Sequence, residues 1–110
     1  MIYHIAIKAE WESQSGEATY APSRYQEDGF IHCSEQHQLQ PVAENNFQGR
    51  VDLVLLELMP TRLEPETRYE QGGKEKFPHI YGPINKDAVN RTKEIQCNDD
   101  GYFEGVFDNI

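Results

Sequence analysis

Residues 28–38, DGFIHCSEQHQ, hold His32, Cys33, Ser34, His37 and two acids, Asp28 and Glu35, within eleven positions. Three chemistries use such a set. A metal centre would draw on His32, Cys33 and His37. In a helix Cys33 and His37 share a face that excludes His32, and in a strand His32 and Cys33 point to opposite faces. The segment has neither a CxxC nor an HxxxH pair, and structural zinc prefers closed sets of Cys and His, so no metal is expected. A thiol nucleophile would be Cys33, next to His32 and ahead of a helix start that would lower its pKa. Cysteine more commonly packs as a small buried hydrophobe, and that role is expected here. The third chemistry is ligand binding at the polar lip of a pocket built by the rest of the chain.

Two further histidines extend that third option. In IYHIAIK (residues 2–8), Tyr3, Ile5 and Ile7 alternate with Ile2, His4, Ala6 and Lys8, so His4 is expected on the more polar face of a first strand. In FPHIY (residues 77–81) a period of two puts Phe77, His79 and Tyr81 on one face of an extended segment. An imidazole between two aromatic rings suits stacking against a flat heterocycle, and it suits core packing nearly as well. Gly72-Gly73-Lys74 with Lys76 is either a loop that closes over an anion or a soluble hairpin tip.

The elements that must carry these residues follow from periodicity and punctuation. Residues 9–14 around Trp11 suit a short helix, and Pro22-Ser23 opens a turn that ends at Gly29. FIHC (residues 30–33) reads as a short strand, with Ser34 as the N-cap of the next element. Leu39, Val42, Ala43 and Phe47 recur at helical spacing up to Gly49. VDLVLLELM (residues 51–59) is a nearly continuous apolar run, expected as a central strand covered on both faces. TRYE (67–70) and FPHIYGPI (77–84) flank the Gly72-Gly73 loop, and NKDAV (85–89) suits one helical turn capped by Asn85. RTKEIQC, NDDG and YFEGVF predict a strand, a turn and a last strand over 91–107. This is an α+β chain of about six strands with short helices, expected as a single domain over residues 1–110.

Composition narrows the partners. Ten Lys+Arg against nineteen Asp+Glu give a net charge of −9, which opposes nonspecific binding to nucleic acid or to an anionic membrane. The longest apolar run, Val54–Leu56 with Leu58 and Met59, is too short to span a bilayer. A cytoplasmic location is expected, with Cys33 and Cys97 reduced and unpaired.

YHIA near the start, WE, YAPSRYQEDGFIHCSEQHQ, VDLVLLEL, RYE, FPHIYGPINKDAV and the closing DGYFEG occur together. In that combination the chain resembles, from end to end, the bacterial family called domain of unknown function 952. The resemblance implies an ADP-ribosyltransferase-like (ADP-ribosylation) fold, a split β-sandwich with short helices that elsewhere grips NAD between two sheets. It implies that His4 corresponds to the dinucleotide anchor on the first strand. Ser34, following His32, stands nearest to the motif on the second strand, and Glu70 to the glutamate that orients the ribose. The Ser-Thr-Ser triplet and the Glu-x-Glu or Gln-x-Glu pair of protein-modifying transferases are missing. The expectation is therefore a small-molecule nucleotide site, NAD being the candidate ligand or substrate. His4, His32, Ser34, His79 and Tyr81 would bind, and Glu70 would be the catalytic carboxylate. The alternative is a non-catalytic ligand-binding or accessory domain.

Overall fold

The computed structural model describes residues 1–110: eight strands in antiparallel sheets, with three short helices. Strands β1 (Ile2–Ile7), β4 (Leu53–Leu58) and β8 (Val89–Ile95) form one sheet in the order β1-β4-β8. Strands β3 (Ile31–His32), β6 (Glu75–Tyr81) and β5 (Glu66–Gly72) form a second in the order β3-β6-β5, and β2 (Thr19–Tyr20) pairs with β7 (Ile84–Asn85). Helix α1 (Lys8–Ser13) follows β1 directly, α2 (Tyr25–Asp28) ends at Gly29 in the left-handed region (φ 78), and α3 (Leu39–Asn46) precedes β4. None of the helices is long and apolar enough to cross a membrane.

The apolar run becomes the central strand, and every residue of β4 is buried. Val54, Leu56 and Leu58 pack into one core cluster with Tyr20, Ile31 and Ile80. Leu53 and Leu55 pack into a second cluster with Leu39, Ala43, Phe103 and Phe107. Glu57 alone breaks the pattern, and it is held by Asn90 (2.6 Å), Arg91 (3.2 Å) and the Tyr3 hydroxyl (3.3 Å). Burial would raise its pKa, but the Asn90 and Arg91 contacts outweigh burial and hold the carboxyl below the usual range.

Four expectations are corrected. The face of β1 that bears His4 is not polar: Ile2 and Ala6 beside it belong to the first cluster, and His4 itself is buried. Ser34 does not cap a helix. Glu35 stands at the cap position, and its N–H donates to Gln38 Oε1 at 2.9 Å, while Ser34 pairs with Tyr3. Residues 102–107 form turns rather than a strand, because Asn98 Oδ1 accepts the N–H groups of Asp100 and Tyr102 (3.0 Å each) and curls the chain. Asn85 does precede a 3-10 turn at Lys86–Ala88, but its side chain accepts from Glu64 N–H and donates to the Arg62 carbonyl instead.

The sheets separate at one place. Ile31 and His32 pair with Ile80 and His79, and Cys33 N–H still donates to the Pro78 carbonyl at 3.0 Å. Pro78 has no N–H to return. Ser34 then crosses to β1, where it exchanges two 2.8 Å hydrogen bonds with Tyr3. Successive residues of a strand direct their amides to opposite edges, so Ile5 and Ile7 face the same side as Tyr3. No strand pairs with them there, and the two sheets splay apart.

Leu56 is fully buried at the centre of the first cluster. Leu56→Ala should cost about 2–5 kcal/mol, read as a lower urea midpoint at unchanged m-value. A loss under about 0.5 kcal/mol, the range of surface substitutions, would show that β4 is not the packed centre.

Candidate functional site

Where the sheets splay they leave a cleft of about 780 Å³. Its wall includes His4 and Ile5 of β1, Tyr20, the segment Ser23–Arg24, and Asp28, Phe30, His32 and Ser34 along the path into β3. The β5–β6 hairpin adds Gln71, Gly72, Phe77 and His79. A Cβ at Gly72 would lie 2.8 Å from the Phe77 ring, so any side chain at this corner would push that ring aside.

The inner wall has two polar atoms without partners. His4 Nδ1 donates to the His32 carbonyl at 2.7 Å, which makes Nε2 the lone-pair nitrogen of the neutral ring. That Nε2 and the Tyr20 hydroxyl are buried without any hydrogen bond, and their rings are 5.9 Å apart. Leaving such groups unpaired costs about 1–3 kcal/mol each, so the site is arranged at the expense of stability. Burial pushes the His4 pKa down to about 4, so the ring is neutral at physiological pH. Tyr20 is held between His4 and an edge-on Trp11 (5.2 Å), and burial raises its pKa.

The outer rim is aromatic and charged. Phe30 stacks on His79 at 4.0 Å with 17° between planes and leans on His32 at 4.7 Å. His32 Nε2 bonds Asp28 Oδ2 at 3.0 Å, and His79 Nδ1 bonds Glu70 Oε1 at 2.8 Å. Tyr81 also donates to Glu70, and the Arg68 guanidinium lies 4.4 Å over the Tyr81 ring. The Tyr81 and His79 hydrogen bonds hold the Glu70 carboxyl below the usual range, and Glu70 in turn raises Tyr81.

His4, His32, Ser34 and His79 share one cleft, while Glu70 and Tyr81 stand behind His79 and do not line it. His37 is exposed and bonds Glu75 at 2.9 Å, apart from the cleft. Cys33 is buried with its thiol pKa pushed up by burial, which disfavours the reactive thiolate. Lys74 and Lys76 stay outside, and the cation on the rim is Arg24. Sequence reasoning missed Tyr20, Arg24, Asp28 and Phe30. The signal was there in YAPSRYQEDGFIH, where aromatics and charges gather without any helical or strand period.

The His4 burial has a measurable sign. Its folded pKa of about 4 lies below the ordinary 6.5, so between these values the unfolded chain binds a proton that the folded chain does not. Stability should therefore fall as pH drops through this window, by about 2–3 kcal/mol near pH 4.5. Denaturant melts at pH 7 and pH 4.5 should show His4→Gln losing less than the parent by about that amount. Equal losses would mean that His4 titrates normally.

The family model "Protein of unknown function (DUF952)" matches residues 5–92. The crystal structure of protein CC0527 from Caulobacter crescentus is similar at 32% identity and TM-score 0.84, covering 92% of this chain and 90% of that one. A double mutant of CC0527 gives 31% identity and TM-score 0.83 at the same coverage. Its solution NMR structure gives 32% and 0.71, covering 92% of this chain and 89% of that one. No curated protein gives a significant match. With most of its length matched by the family model, and the cleft residues from Ile5 to His79 inside the matched span, the chain belongs to the DUF952 family.

Proposed function

We propose that the cleft binds a nucleotide of the NAD class, in a protein acting as one cytoplasmic domain with an ADP-ribosylation-like split β-sandwich. The observation that carries this reading is the pair of buried, unpartnered polar atoms, His4 Nε2 and the Tyr20 hydroxyl, set in the wall of a cleft rimmed by stacked aromatics. A neutral His4 with its proton on Nδ1 leaves a buried acceptor at Nε2, which a ribose hydroxyl or an amide N–H would complete once the cleft wall shifts to uncover it. Phe30 and His79 offer ring surface to a flat heterocycle, and Arg24 offers a cation to a phosphate. Hydrolysis or transfer of the bound ADP-ribose unit is the enzymatic form of this reading. Glu70 would act in it through His79, since its carboxylate is already engaged by His79 and Tyr81. That same engagement favours the second reading, a binding or accessory domain without chemistry.

A thermal melt against NAD, ADP-ribose, ATP and glutathione separates these ligands. A ligand at about one hundred times its Kd adds roughly 2.7 kcal/mol, and each kcal/mol moves the midpoint of a domain near this size by about 4–8 °C. NAD or ADP-ribose should shift the midpoint and glutathione should not. Tyr20→Phe, which removes only the unpartnered hydroxyl, should raise the midpoint of the free protein while shrinking the nucleotide shift. No shift with any nucleotide at millimolar concentration would sink this assignment.

A further inference from the structure

The rung between β3 and β6 sets His32 directly opposite His79, and the two rings meet edge to face at 5.5 Å. Each imidazole is held by a different carboxylate, Asp28 on one and Glu70 on the other. A carboxylate accepts, so the bonded nitrogen is the donor and the other nitrogen is left to exchange a proton. For His32 that is Nδ1, and for His79 it is Nε2. His79 lines the cleft with its side chain 11% exposed, and its bond to Glu70 engages Nδ1 and leaves Nε2 free. A single surface histidine–carboxylate pair means little. Here two of them sit on one rung, in contact with one phenylalanine and lining one cleft. The charged and titratable groups around them are Arg24 and Asp28 of the α2 segment, Glu70 and Arg68 of β5, Tyr81 of β6, His4 of β1 and, in the same cleft wall, Glu10 of α1, whose carboxylate is held by Ser23.

We propose that His32 and His79 are the general acid and general base of a phosphodiester hydrolysis, performed on a nucleotide held in this cleft. The proposal rests on the nucleotide-binding reading and adds the bond that is cut. Loss of a neutral heterocycle from a ribose needs no acid, whereas an alkoxide leaving phosphorus does, and an acid–base pair suits the second case. Arg24, in the same wall and 3.5 Å from Asp28, supplies the cation for a phosphate oxygen. His79 is recessed, with its side chain 11% exposed, and takes the proton of the attacking water on Nε2 while Glu70 stabilises the imidazolium formed. The water oxygen bonds phosphorus as the P–O bond to the leaving alcohol breaks. Its electron pair goes to that oxygen, which takes a proton from Nδ1 of the His32 imidazolium. His32, 63% exposed on its side chain, regains a proton from solvent and His79 releases one, so the cycle closes without an oxidant or reductant.

The test incubates the whole protein with adenosine 2′,3′-cyclic monophosphate, a diadenosine phosphodiester and NAD, with products separated by chromatography. Expected is hydrolysis of at least one of the two adenosine diesters, with a bell-shaped pH profile. His79→Gln should lose the acid-side limb and His32→Gln the alkaline-side limb, each with a fall of about 10²–10⁴-fold in kcat/KM. Imidazole nitrogen NMR supplies a readout free of activity: His79 should carry its neutral-form proton on Nδ1, and Glu70→Gln should disturb that preference while the melt stays cooperative. A nucleotide that raises the melting midpoint while neither diester is cut would overturn this proposal and leave nucleotide binding intact. Unchanged rates in both histidine variants, or a His79 proton on Nε2, would also overturn it. Cleavage of a diester without any NAD shift would overturn the NAD assignment and support the acid–base pair.

Discussion

Two backbone hydrogen bonds of 2.8 Å between Tyr3 and Ser34 join the two larger sheets, and the site exists because that rung stands alone. One residue earlier the chain still belongs to β6 through the Cys33 amide, and one residue later it enters the turn led by Glu35. Had β3 stayed beside β1, Ile5 and Ile7 would be paired and the cleft closed. Had it stayed on β6, the sheets would share no strand hydrogen bond at this edge. The His4 bond to the His32 carbonyl is a second tie across the same gap, so the ring that is left with an unpaired nitrogen also holds the gap at its width.

The parts legible in the sequence were those where a period and a burial requirement agree. The VDLVLLELM run had to be central because only a strand covered on both faces hides leucines and valines in succession. The period of two through FPHIY put His79 and Tyr81 on one side, and their common contact with Glu70 follows from it. The same reasoning failed for His4, because alternation tells which residues share a face but not what covers that face. It failed for YFEGVF because Phe103 and Phe107 reach the second cluster from a turn, with Gly105 at φ 74, rather than from a ladder. Ser34 was assigned to capping on residue type alone, and the pairing with Tyr3, a long-range event, took precedence.

Glu70 and Asp28 show how far residue identity carries. Glu70 could be named from the resemblance, yet its position behind His79 depends on the cross-strand pairing of Glu70 with Phe77 and Arg68 with His79, which puts these four side chains on one face of the sheet. Asp28 and Phe30 flank Gly29, whose left-handed backbone ends α2 and turns the chain toward β3. That turn leaves the aspartate and the phenyl ring in reach of His32. A glycine in a polar stretch therefore arranges half of the rim, and nothing in local periodicity marks it.

Pro78 has an effect on what the molecule avoids. Adjacent antiparallel strands tend to keep adding rungs, and a cleft formed by two strands parting is exposed to being zipped shut from its own apex. With no amide hydrogen at Pro78, the Cys33 carbonyl finds no donor across from it, and annealing of the departing segment onto β6 stops there. The proline works as a zipper stop. It sets how deep the opening can run, and it keeps the empty form from healing over between encounters with whatever enters.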